Sequence, residues 1–283
     1  MSYPKRHHFI PQMLQRRFAN PNGQLYSFDK RRSEDGVNPG NPANLFVEKH
    51  LYSIKRKSGD KDPELEIRLS KVEGAADSVI RKIEEAAANG RAPELSKEER
   101  DIWDLFFYVQ WKRTPDCFES TKALVEFDET LQRSIGEFEH KSRLLTGAER
   151  EELKDPVAIS RLKHNAKVGA VGLGSGEVTK ALADKGVAIL KIEAPNKNFI
   201  LGSYPVAKLA SPGHAHISDP TVEIWLPISP KLAVSPGYAK GEERLIPTRN
   251  AKVIRYINEA IAKQSTVIAG SNEKLIVSLS RPR

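Results

Sequence analysis

Two histidines stand side by side in the stretch Arg6-His7-His8-Phe9-Ile10-Pro11-Gln12. Adjacent imidazoles among Arg and Lys repel one another when protonated, so folding alone gives little reason to place them there. Chemistry is one reason that would, because imidazole moves protons near neutral pH and ligates metals. Carboxylates that could complete such a site are Glu66, Glu73 and Asp77, whose spacing of seven and four puts them on one face of a helix. Gln110 and Arg113, three apart, also share a helical face, after an aromatic run and just before Thr114 and Pro115. Such a pair either caps carbonyls and pairs an acid, or holds a phosphate or carboxylate ligand.

Taken together, these residue types suit metal-assisted hydrolysis of a phosphate-containing substrate, and a nuclease is the expected class. His7, His8, Glu73, Gln110 and Arg113 are the candidate catalytic residues, and His8, Glu66 and Glu73 the candidate ligands of a divalent metal such as Mg, Mn or Zn. Of the two histidines, His8 is expected to face the acids, with Phe9 and Ile10 alternating toward the core beyond it. A ββα nuclease finger is set aside, since it requires a downstream Asn and His, and the next histidine is His50. The contrasting reading is a non-catalytic module that binds nucleic acid or protein. There the acid stripe is a solvated helix face, and one histidine is a core residue while the other lies on the surface.

The elements that must position these residues follow from local patterns. Apolar residues recur every three or four positions from Leu65 to Ile83, with Asn89 and Gly90 as a stop, which predicts a long amphipathic helix. Ser96 and Glu99 form a capping-box pattern that opens a second, buried helix running to Pro115, and a third is expected over about 118–142. Further helices are expected near 147–154, 156–168 and 249–264. The first sixty residues read as a small hairpin and loops, and the runs 187–194, 198–206, 221–229 and 231–236 as strands, with the tail after 264 ambiguous. The expected fold is therefore α+β: one domain over 1–283, with central helices flanked by an N-terminal hairpin and a C-terminal antiparallel or mixed β region. Gly172, Gly174 and Gly176 resemble a nucleotide-binding loop, but the Pro-rich β structure that follows favours a loop capping a short helix.

The 283 residues are 39% hydrophobic and 29% charged, enough for a substantial core. Cys117 is the one cysteine, which excludes an internal disulfide and a thiolate zinc cage. No apolar run is long enough to span a membrane, and a cytoplasmic location is expected. The net charge is +8, and eleven Lys and Arg stand against four acids through residue 58. This excess fits either nucleic acid bound through the basic N-terminal segment or an ordinary solvated surface.

With these motifs collected, the chain resembles the DUF4238 family, a domain of unknown function found largely in bacteria. The resemblance rests on five ordered motifs: the start His7, His8, Pro11, Gln12, Leu14 and Phe18; the helix with Glu66 and Glu73; the helix end Gln110, Arg113, Thr114 and Pro115; the stretch NFILGSYPV; and WLPISPK. It spans nearly the whole chain. One departure stands out, because Ser203 occupies the place of the family's aspartate in Ser-Asp-x-Pro. The resemblance thereby adds Ser203 to the candidate site, and implies that any role of that aspartate falls here to Ser203 or to another acid.

Overall fold

Pro, Asn and Gly at short intervals cut the first sixty residues into brief extended pieces. In the computed structural model, which describes residues 5–119, 126–209, 222–237 and 239–281, these pieces are β1 (Arg6–His8), helix α1 (Gln12–Arg17), β2 (Leu25–Asp29), β3 (Asn38–Gly40), β4 (Val47–Lys49), β5 (Ile54–Lys55) and β6 (Lys61–Asp62). Helices α2 (Glu64–Ala88), α3 (Lys97–Lys112), α4 (Pro115–Glu119), α5 (Phe127–Lys141), α6 (Gly147–Glu152), α7 (Pro156–Gly172) and α8 (Gly176–Ala183) follow. The chain continues through β7 (Val187–Ile192), β8 (Leu201–Gly202), β9 (Ala207–Leu209), β10 (Glu223–Ser229), β11 (Leu232–Pro236) and β12 (Glu243–Thr248), then α9 (Ala251–Gln264), β13 (Val267–Gly270) and α10 (Glu273–Ser280). The fold is α+β.

The long helix α2 buries Leu69, Ala76, Val79, Ile80 and Ile83 and ends where Gly90 takes φ +72°, letting the Arg91 amide reach back to Ala86. In α3 the capping box is formed: the Glu99 amide donates to Ser96 Oγ, and the Ser96 amide donates to the Glu99 carboxylate. Its buried face carries Trp103, Phe106 and Phe107, whereas Leu105 is 48% exposed, so α3 has a solvent side. The third helix is not continuous as expected. Pro115 ends α3 and opens α4, α5 starts only at Phe127, and the intervening 120–125 lie outside the described residues. The run 198–206 contributes only the two-residue β8, and the ambiguous tail is both things in turn, β13 and then α10.

Two sheets organise the strands. One has the order β12-β7-β11-β10-β9, in which β12 runs parallel to β7 and the other pairs are antiparallel. The other has the order β3-β2-β13-β8. The N-terminal hairpin is thus β2–β3, and its free edge is taken by β13 from near the other end of the chain, with Val267 opposite Asp29. A single apolar cluster joins Ile10, Leu14 and Phe18 to Ile80 and Ile83 of α2, Phe106 of α3 and Ile268 of β13.

The glycine-rich loop lies between two helices, α7 and α8, and Ser175 caps α8. A strand leading into the first glycine, which phosphate binding of that type requires, is replaced by α7.

Candidate functional site

β1 is only three residues long, but it pairs with β4 so that His7 stands opposite Glu48 and turns inward. His7 is fully buried, stacks on Tyr52 with ring centroids 5.9 Å apart, and accepts the Tyr52 backbone N–H at Nδ1 (3.0 Å). That contact uses the Nδ1 lone pair, which leaves Nε2 as the ring's N–H donor. Glu66 Oε2 lies 3.7 Å from the same Nδ1, a close contact but too long for a hydrogen bond, and the Nδ1 lone pair is already in use.

His8 points the other way. Its Nε2 lies 3.2 Å from the Ala43 carbonyl and 3.3 Å from the Gln12 amide nitrogen. Burial holds its pKa below the ordinary imidazole value, against the raising effect of Ala43 and with the help of Arg6. This corrects the expected orientation: His7, not His8, sits against Glu66. The alternation was extrapolated through Phe9 and Ile10, but the strand ends at His8 and both following side chains are buried at a bend.

Arg113, at the end of α3, ties the cluster together. Its side chain is fully buried, and it donates to Glu73 Oε1 (2.6 Å), the Phe9 carbonyl (2.9 Å) and the His8 carbonyl (2.7 Å). Tyr52 Oη in turn donates to the Arg113 carbonyl at 2.9 Å, and burial raises the Tyr52 pKa. Burial also pushes the Glu66 carboxyl up to about 7, opposed by Arg113 and reinforced by Glu73. The third member of the acid stripe has a structural task, since Asp77 pairs with Arg17 (2.8 Å) and Arg81 (2.6 Å). Gln110, one turn before Arg113, is fully buried, and neither of its amide atoms has a partner among the described residues. Such an amide costs about 1–3 kcal/mol unless a water or ligand meets it.

The segments that meet here are the ones whose motifs carried the resemblance. A sequence profile described as a protein of unknown function, DUF4238, matches residues 6–276. The chain belongs to the DUF4238 family. No curated protein and no solved structure matches it.

Of the DUF4238 motif residues, Ser203 is held apart from this cluster. Its hydroxyl donates to Asp116, accepts the Val267 amide (2.9 Å), and lies 3.2 Å from the Thr266 hydroxyl. The departure at Ser203 therefore has a carboxylate beside it, supplied by Asp116 directly after the Arg-Thr-Pro motif. Asp116 was not singled out in the sequence, although its place next to Pro115 was a usable signal.

Sequence reasoning also passed over two histidines. His50 adopts φ +57°, a left-handed conformation uncommon for a non-glycine residue, and its ring lies edge-on to His7 at 6.2 Å. Burial lowers its pKa, and the nearby charges of Lys61, Lys5, Lys55 and Lys49 add to the shift. His164 of α7 bonds the Ser53 carbonyl at 2.8 Å, beside Asn165, whose amide clasps both backbone groups of Lys55. Much of the remaining N-terminal positive charge is matched within the fold. Arg17 pairs with Asp77 and Glu84, Arg31 with Asp29, Arg56 with Asp62 and Lys57 with Glu152.

Among the described residues no three His, Cys, Asp or Glu side chains converge closely enough to hold a metal ion. Of the expected ligand set, the carboxylates of Glu66 and Glu73 are near enough for their charges to interact, with Glu73 Oε1 taken by Arg113, while the ring of His8 is directed to Ala43. Nor is any helix among the described residues long and apolar enough to cross a membrane.

Proposed function

We infer that this DUF4238 protein is a hydrolase acting on a phosphate-containing substrate at the His7–Glu66 cluster. The observation that carries the reading is the setting of His50, with its ring against buried His7 and with Lys5, Lys49, Lys55 and Lys61 around it. Four ammonium groups near one imidazole attract an anion, and burial together with their charge lowers its pKa, which favours the neutral form that a general base needs.

In this reaction His50 takes a proton from water as its oxygen adds to phosphorus. Glu66, with its carboxyl at about 7, gives a proton to the leaving oxygen. The lysines offset the negative charge that builds on the phosphoryl oxygens. His7 and Arg113 act as positioning residues, holding Tyr52, the His8–Phe9 backbone and Glu73 in place. Gln110 offers an amide donor and acceptor to the substrate or its water. In the metal-dependent form of the same proposal, Glu66 and Glu73 would hold a divalent cation, which would supply Lewis acidity to the attacking water.

One observation favours a second reading, a binding module without turnover: among the described residues, every bond that the Arg113 side chain makes is to the protein's own backbone or to Glu73. The test is to incubate the purified chain with single-stranded DNA, RNA and an aryl phosphodiester, with and without EDTA. His50→Ala and Glu66→Gln variants run beside it. The hydrolase reading expects turnover that drops roughly 100-fold or more in both variants, and loss of turnover on chelation assigns the metal-dependent form. Absence of turnover on all substrates overturns it, and salt-sensitive binding alone then supports the module.

A further inference from the structure

A cavity of about 600 Å³ opens between the β2–β3 hairpin, residues 44–48, the start of α4 and residues 266–267, and none of His7, Glu66, Glu73, Gln110 or Arg113 lines it. Its floor is a polar network. Asp116 Oδ1 accepts from the Thr266 hydroxyl at 2.9 Å, while Oδ2 accepts from the Thr266 amide at 2.9 Å and from the Ser203 hydroxyl. Ser203 is 2% exposed. The Thr266 hydroxyl also reaches Oδ2 at 3.3 Å, so Oδ2 is crowded, whereas Oδ1 takes only the one bond among the described residues and keeps an acceptor position open. Among the described residues Asp116 is bonded by hydroxyls and an amide and by no cation, and the nearby Lys30 gives its ammonium to the Ala262 carbonyl at 2.5 Å.

The rim carries Arg31 and Arg32 beside the carboxylates of Asp29, Asp35 and Glu48. Arg31 is matched by Asp29 at 2.8 Å, but Arg32 has no ion pair or hydrogen bond among the described residues. The backbone breaks the helical run 30–35 at Arg32, with φ −135° and ψ 53°. Phe9 and Phe46, edge to face at 5.9 Å, form an aromatic wall, and Phe46 is held there in the left-handed region at φ +51°. Strained residues persist where surrounding structure holds them for a purpose such as a ligand clamp.

An open carboxylate acceptor beside two hydroxyls matches the vicinal hydroxyls of a sugar. An unmatched guanidinium matches a phosphate, and the aromatic wall suits the apolar face of a sugar or a base. The volume lies in the range of small-ligand sites, about 300–1,000 Å³. We propose that this cavity binds a phosphorylated sugar, free or as the ribose phosphate of a mononucleotide, with Asp116 on its hydroxyls and Arg32 on its phosphate. The site is separate from the hydrolytic centre and stands or falls independently of it.

Calorimetric titration of the full chain with ribose 5-phosphate, AMP, ribose and inorganic phosphate tests this. Both phosphorylated sugars should bind at least about tenfold more tightly than ribose or phosphate alone. Tighter binding of AMP identifies a nucleotide as the source of the sugar phosphate, and equal binding identifies the free sugar phosphate. Arg32→Ala should weaken both by about tenfold or more and leave the melting temperature of the free protein nearly unchanged, because among the described residues Arg32 makes no hydrogen bond or ion pair and acts on Asp29 only through its charge. Asp116→Asn should weaken both as well, and Arg32→Ala decides the matter where that variant fails to fold. No binding of either phosphorylated sugar at about 5 mM, binding that survives Arg32→Ala, or phosphate alone binding as tightly overturns the proposal.

Discussion

Arg113 and Glu73 meet at 2.6 Å across a separation of forty residues, and the guanidinium that makes the contact is wholly buried. The same group holds the carbonyls of His8 and Phe9, so one side chain joins α3, α2 and the N-terminal segment. Removing it leaves two carbonyls and a carboxylate without their donor. Arg113→Met is expected to cost about 3–5 kcal/mol in urea denaturation. Glu73→Gln, which keeps an acceptor for the guanidinium, should cost less, and a stable Arg113→Met would show that the N-terminal segment is held by its apolar contacts alone.

The paired histidines should separate cleanly. His7→Ala strands the buried Tyr52 amide and removes a stacked ring, for a loss of about 1–3 kcal/mol. His8→Ala gives up a longer, half-buried contact with the Ala43 carbonyl and should cost under about 1 kcal/mol. Thermal denaturation of the two variants side by side measures the difference, and equal losses would contradict the inward placement of His7.

Glu66 should make stability depend on pH. An acid whose pKa is raised on folding, here from 4.5 to about 7, favours the folded state through its protonated form. That contribution is fully present below about pH 4.5 and lost as the pH rises through about 7. Relative to Glu66→Gln, which stays neutral throughout, the wild type should lose on the order of 2–3 kcal/mol across that window. Parallel stability curves for the two proteins between these pH values would mean that Glu66 is ionised without penalty.

Deleting residues 1–20 should unfold the protein. The deletion removes Ile10, Leu14 and Phe18, all fully buried, and each contributes roughly 1.5–3 kcal/mol. It also removes the Arg17 pairs with Asp77 and Glu84. Circular dichroism of the truncated chain checks this, and an unchanged melting temperature would show that the segment is dispensable.

Local pattern was enough for the elements that local forces decide. The amphipathic repeat of α2 with its stop at Gly90, the capping box at Ser96, and the Thr-Pro break after Arg113 each depend on residues within a few positions of one another, and each is formed as the sequence predicts. The α+β class followed from the same patterns. From them also came the grouping of His7, His8, Glu66, Glu73, Gln110 and Arg113 as candidate site residues.

Which of those residues touch was decided only by the assembled fold. The sequence could say that adjacent strand residues face opposite ways, but the side chosen by His7 depends on β1 pairing with β4 and ending at a bend, a contact between positions more than thirty apart. His50 became notable only when a left-handed turn set its ring against His7. Asp116 and Ser203 came together because β13 closes onto β2, carrying Thr266 and Val267 to the start of α4. The physical reason is common to all three: helix periods and caps are short-range and additive, whereas the meeting of distant side chains is set by how sheets pair and cores pack, and one residue of register in β1 would turn His7 to the other face.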